Sequence, residues 1–92
     1  MATIQRDGVT LDFDDRGSGD PVLLLHGHTL DRRVWDGVVE RLHERGARTM
    51  CPDLRGHGRS LRPERGYHWS HHAADMAAVL DAAGVGRCAV VG

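Results

Sequence analysis

The sequence predicts an α/β fold in which an antiparallel hairpin leads into a parallel sheet with helices on both faces. Three observations carry this prediction. Two short strand-like stretches flank an Asp7-Gly8 turn near the start of the chain. Residues 22–26 form a continuous apolar run without polar alternation, as suits a parallel strand covered on both faces, and residues 87–91 form a short last strand. Between them lie two segments whose apolar residues recur at helical spacing.

The hairpin comes first, with residues 3–6 and 9–14 as its strands. A loop through Gly17, Gly19 and Pro21 leads to the strand 22–26. Asp31 can cap a helix running to about Glu44, with Val34, Trp35, Val38, Val39 and Leu42 on one side and Gly46 at the exit. Arg32 and Arg33 in its first turn oppose the helix dipole, a small cost at an exposed surface. Residues 48–51 form the next strand, ended by Pro52. Ser70 can cap a second helix with Ala73, Met76, Ala77, Leu80 and Ala83 on its apolar stripe, and Gly84 ends it. Residues 87–91 close the series. Strands alternating with helices imply right-handed crossovers and a parallel sheet. The active crevice of such a sheet lies beyond the carboxyl ends of its strands, where the loops after His26, Cys51 and Val91 meet.

Composition narrows the function. With 92 residues the chain holds one domain or part of one. A net charge of −1 argues against a generic nucleic-acid or membrane-surface binder. Every basic residue other than histidine is arginine. The two cysteines, Cys51 and Cys88, sit in apolar strand contexts and read as reduced, buried thiols. The first residues show no apolar signal-peptide core, and no apolar run approaches the roughly 20 residues needed to span a bilayer. The expected location is the cytoplasm.

Two loops can carry chemistry. The first reads HGHT, His26 to Thr29, where Gly27 permits a sharp turn that brings backbone N–H groups close to a ligand. The second reads DLRGHGRS, Asp53 to Ser60, where Gly56 and Gly58 suggest positive φ. A strand ending in HG, a helix bearing a tryptophan, a strand leading to D-x-R-G-x-G-x-S, a second helix, and an apolar strand ending in VVG follow one another along nearly the whole chain. This order resembles the α/β-hydrolase superfamily. The resemblance implies that residues 1–92 are the N-terminal portion of one α/β-hydrolase domain, an incomplete fold ending just before the nucleophile turn G-x-S-x-G. Gly92 matches the first glycine of that turn, so a variable residue and then the nucleophile are expected to follow.

The resemblance further implies that the main-chain N–H of His28 forms half of an oxyanion hole, and that Asp53, Arg55, Gly56, Gly58 and Ser60 shape and brace the site with His26, Gly27 and Thr29. Trp35 reads as core packing or as a border of the pocket. The implied activity is serine-type hydrolysis of a small ester, lactone or related acyl substrate, with no cofactor. Epoxide hydrolases, carbon–carbon bond hydrolases and cofactor-free haloperoxidases resemble this stretch about equally well. The second reading is a non-catalytic fragment acting as a binding or complementation partner, itself expected to self-associate through an open sheet edge because Leu23, Leu25, Val90 and Val91 lose cover.

Other patterns have weaker claims. Among Ser18, Ser60 and Ser70, none lies in G-x-S-x-G, and Ser60 reads as a structural turn residue. His68, His71 and Asp75 can share a helical face and so clasp zinc, which makes a His-based metal-binding module a further alternative. Arg55, Arg59, Arg62 and Arg65 crowd one stretch that could attract phosphate, but Asp53 and Glu64 are interleaved.

Overall fold

A computed structural model describes residues 2–92. The hairpin strands are β1 (Ala2–Arg6) and β2 (Val9–Arg16), followed by β3 (Pro21–Leu24), a 3-10 turn (Arg32–Trp35), α1 (Asp36–Glu44), β4 (Arg48–Pro52), α2 (Trp69–Ala82) and β5 (Ala89–Val91). The strands form one sheet in the order β1-β2-β4-β3-β5. The hairpin is antiparallel within itself, and β2 is antiparallel to β4. β3 runs parallel to β4 on one side and to β5 on the other. Asp7 (φ 49°) and Gly8 (φ 76°) both occupy the left-handed region, as a two-residue turn matched to strand twist requires.

The helices cover opposite faces because inward residues alternate along each strand. Leu23 and Met50 point to one face and join Val9, Leu11, Phe13, Met76 and Val79 beneath α2. Leu24 and Cys51, their sequence neighbours, point to the other face and pack with Val39, Trp35 and Leu42 beneath α1. Burial pushes the Cys51 thiol up to about 11. Leu23, expected to lose cover, is buried under α2, whereas Val90 and Val91 are exposed on β5, the outer strand of the sheet among the described residues.

Both helices depart from their expected phase. Asp31 does cap, accepting the Arg33 N–H, but what it caps is the 3-10 turn. That turn advances 3.0 rather than 3.6 residues per revolution, so Val34 and Val38 face outward while Trp35, Val39 and Leu42 face the core. At the start of α2 the cap is His68 rather than Ser70: the imidazole accepts the Ser70 N–H at 3.2 Å. Of the expected α2 stripe, Met76, Leu80 and Ala83 pack on the core, but Ala73 and Ala77 are exposed, and Asp75 and Val79 are buried in their stead. The inward turn of Asp75 has a cause, the buried guanidinium of Arg55.

Arg48 at the start of β4 ties the sheet to both neighbours. Its guanidinium donates to Asp15 at 2.8 and 2.7 Å and to the Ala83 carbonyl beyond the last turn of α2 at 2.8 Å. These bonds hold the Asp15 carboxyl below its ordinary range.

Candidate functional site

The strand tips converge. The Leu25 N–H donates to the Val91 carbonyl at 2.8 Å, and a Cβ placed on Gly92 would lie 3.8 Å from the Leu25 side chain. The turn after β3 therefore sits beside the tip of β5. On its other side it meets the loop after β4, and the two loops line an open cleft of about 1170 Å³ through His28, Thr29, Asp53, Gly56, His57 and Gly58.

The turn itself is closed by Leu30 N–H to Gly27 C=O at 3.1 Å, with Thr29 at φ 69°. His26 is buried below it. Its Nε2 accepts the Leu54 N–H at 3.0 Å and its Nδ1 lies 2.8 Å from the Gly27 carbonyl oxygen. One neutral tautomer, protonated on Nδ1, satisfies both partners. The His28 N–H meets no acceptor among the described residues, and the His28 side chain is exposed.

Asp53 joins the two loops from beneath. Its carboxylate accepts the Arg32 main-chain N–H at 2.9 Å and the Arg59 main-chain N–H at 3.0 Å. Gly58 (φ 51°) makes room for it: a Cβ there would stand 2.3–2.5 Å from the Asp53 carboxyl atoms. The Ser60 hydroxyl is also spent on the frame, donating to the Asp53 carbonyl at 2.6 Å and accepting the Asp12 N–H at 2.9 Å. Both its proton and a lone pair are engaged, and it is 3% exposed.

Arg55 is 3% exposed and forms a two-pronged pair with Asp75, which is 0% exposed. Nε donates to Oδ2 at 2.6 Å, Nη2 to Oδ1 at 2.7 Å, and Nη1 to the Gly66 carbonyl at 2.8 Å. Arg6 adds a bond to Asp75 at 3.1 Å. The Asp75 hydrogen bonds raise the Arg55 pKa above its ordinary value. Gly56 passes under the Tyr67 ring, 2.6 Å from where its Cβ would be.

These placements bear on the weaker patterns. Asp75 is committed to two arginines and His68 to the α2 cap, and among the described residues no group of three His, Cys, Asp or Glu side chains is arranged to hold a metal ion. Of the arginine stretch, Arg55 is buried and Arg62 donates to the Gly58 carbonyl. Trp35 belongs to the core beneath α1 and is not among the residues lining the cleft.

Sequence reasoning missed Arg32. It is 9% exposed and lies among Asp12, Asp14 and Asp53, with Nη1 donating to Asp12 and Nε 3.5 Å from Asp14 and 3.7 Å from Asp53. A signal existed: Asp12 and Asp14 alternate with Leu11 and Phe13, so both must face α1, and buried carboxylates need a cation. His57 was also missed. Its Nε2 accepts the Thr29 N–H at 3.2 Å and its Nδ1 lies 3.0 Å from the Arg55 carbonyl oxygen.

Comparison with known proteins places these features in context. A family model described as the alpha/beta hydrolase fold matches residues 20–92. The chain is 42% identical over 74 residues to a non-heme haloperoxidase of Rhodococcus erythropolis, covering 80% of this chain and 27% of that protein. It is 37% identical over 89 residues to a bifunctional esterase/perhydrolase of Acinetobacter calcoaceticus, covering 95% of this chain and 32% of the relative. Among solved structures, an esterase of Exiguobacterium antarcticum superposes with a TM-score of 0.90 at 32% identity, over 94% of this chain and 32% of that one. Est816, described as an N-acyl homoserine lactone degrading enzyme, gives a TM-score of 0.95 at 35% identity, over 99% of this chain and 35% of that one. The chain thus spans between 27% and 35% of the length of these proteins.

Proposed function

The chain belongs to the α/β-hydrolase family, and we propose that the intact protein is a serine-type hydrolase of a small ester, lactone or related acyl substrate. A serine just past Gly92 attacks the acyl carbonyl, its proton passing to a histidine outside these residues. The carbonyl oxygen takes the negative charge, and the His28 N–H donates to it. One such donor is worth about 2.7–4 kcal/mol of transition-state stabilisation. The tetrahedral adduct collapses by breaking the bond to the leaving oxygen, which takes the proton back from that histidine and departs as the alcohol; water then hydrolyses the acyl-enzyme to the acid and frees the serine, and the cycle needs no cofactor. Asp53, Arg55, Gly56, Gly58 and Ser60 hold the two loops in place.

The observation that carries this reading is the side-by-side placement of the β3 and β5 tips, joined by Leu25 N–H to Val91 C=O at 2.8 Å. A side chain presented just beyond Gly92 then stands next to the turn that bears His28. Similarity to an esterase, an esterase/perhydrolase and an N-acyl homoserine lactone degrading enzyme supports the acyl-substrate reading. No helix among the described residues is long and apolar enough to cross a membrane, and the unbridged Cys51 and Cys88 fit a reducing compartment such as the cytoplasm.

The test is an assay of the intact protein on p-nitrophenyl acetate, p-nitrophenyl butyrate and a homoserine lactone, paired with labelling by a fluorophosphonate. Turnover with the label on a serine just after Gly92 is expected. A label on Ser18, Ser60 or Ser70, or no turnover and no label, would overturn the assignment.

A further inference from the structure

We infer that His57 is a positioning residue, whose imidazole holds the Thr29 N–H and so keeps the turn bearing His28 in a single state. The catalytic half of this inference rests on the hydrolase reading above. Gly27 to Leu30 is a four-residue turn closed by its end-to-end hydrogen bond of 3.1 Å, and its third residue has φ 69° while the second is not in the left-handed region. That is the type II signature, which ordinarily calls for glycine or asparagine at the third position. Here a β-branched threonine occupies it, an outlier that the surroundings must enforce.

Type I and type II turns differ by a flip of the central peptide, and in this turn that peptide carries the Thr29 N–H. Whatever accepts the Thr29 N–H selects the flip. The acceptor is His57 Nε2 at 3.2 Å. A carbonyl can only accept, so the 3.0 Å approach of Nδ1 to the Arg55 carbonyl oxygen puts the ring proton on Nδ1 and leaves Nε2 as a lone pair. Arg55 is in turn fixed by Asp75 and by the Gly66 carbonyl. A continuous run of bonded groups therefore reaches from α2 to the turn. His26 makes the reciprocal link, anchored on the Gly27 carbonyl and accepting the Leu54 N–H, with its ring 5.0 Å from that of His57. Together the two imidazoles stitch the loops in both directions. Fixed dipoles serve an oxyanion best when they need no reorganisation, and the flip of this peptide sets the dipole joined to the His28 N–H through one Cα.

The experiment uses the intact protein with His57→Phe, which keeps a ring but has no acceptor, and His57→Gln, whose amide oxygen returns an acceptor near the Nε2 position. On p-nitrophenyl acetate, His57→Phe is expected to lower kcat about ten-fold with KM changed less than about two-fold, and His57→Gln to recover kcat to within about three-fold of wild type. Hydrogen exchange at the Thr29 amide should speed up in His57→Phe and stay slow in His57→Gln. The ring ¹⁵N shifts of wild-type His57 should report the Nδ1–H tautomer. Unchanged Thr29 exchange in His57→Phe, or an Nε2–H tautomer in wild type, overturns the clamp; wild-type kcat in His57→Phe overturns its link to catalysis. If His57→Phe does not fold, the wild-type tautomer and the Gln variant decide. If wild type turns over no acyl ester, the hydrolase reading fails, while exchange and tautomer still decide the clamp.

Discussion

Replacing Asp75 by leucine isolates what the Arg55–Asp75 pair contributes. Asp75 is 0% exposed and Arg55 3% exposed, so both charges sit out of water. The change removes the partner of Arg55 Nε and Nη2 and leaves the guanidinium one bond, from Nη1 to the Gly66 carbonyl. Arginine does not shed its proton, so the charge stays buried or the side chain swings out and releases the 53–60 loop. Leucine itself suits the position, which lies beside Met76 and Val79 on the inner stripe of α2. The loss therefore comes from charge rather than volume, and stranding one member of a buried pair costs about 3–5 kcal/mol. Urea unfolding of the intact protein reads this as a lowered midpoint at unchanged slope. Adding Arg55→Met removes the stranded charge and should recover most of the loss, because a well-packed apolar pair replaces a buried ion pair at little cost. A single variant within about 1 kcal/mol of wild type, or a double variant no better than the single one, would refute the reasoning.

Three further outcomes are expected. Gly58→Ala puts a Cβ 2.3–2.5 Å from the Asp53 carboxyl atoms at φ 51°, so Asp53 must give up its main-chain donors; a loss of about 2–4 kcal/mol in thermal melting is expected, and an unchanged melt would show that the loop yields freely. The Arg33 side chain and main-chain N–H hold the Asp31 carboxyl down from 3.8 to about 2, so its contribution to stability is present above 3.8 and is lost as pH falls towards about 2. Asp31→Asn keeps a capping oxygen but not the charge, so the wild-type advantage should shrink over that window; an advantage constant with pH would contradict this. Native-state alkylation should modify the half-buried Cys88 well before Cys51, a residue 4% exposed whose thiol pKa is raised to about 11; mass spectrometry showing Cys51 modified first would reverse that order.

The parts legible in sequence were those set by near neighbours. Asp7-Gly8 specifies its own turn, the unalternating run 22–26 marks β3 between β4 and β5, and strand–helix alternation places the loops after β3 and β4 at one end of the sheet. Asp31 was readable as a cap because the N–H it accepts lies two residues away, on Arg33. What escaped depends on polar partners distant in the chain. Arg32 finds Asp12 and Asp53, and Arg55 finds Asp75, across separations that no local period encodes. The phase of α2 followed, since the stripe of alanines around Ala73 and Ala77 is outbid by one carboxylate drawn inward. His57 escaped for the same reason: only folding brings its ring to the Thr29 N–H.

The rim opposite the cleft is shut by bare main chain. A Cβ on Gly19 would fall 1.5 Å from the Gly46 carbonyl oxygen, and one on Gly17 would fall 2.6 Å from that of Ala47. Two connections thus lie against each other with nothing between them, and no side chain there can shrink to accommodate an addition. Grafts, tags or cross-linking handles placed in that seam would push the two connections apart from behind, whereas Gly86, which has nothing within 4 Å of a new Cβ and no left-handed φ to preserve, offers a harmless place to attach them.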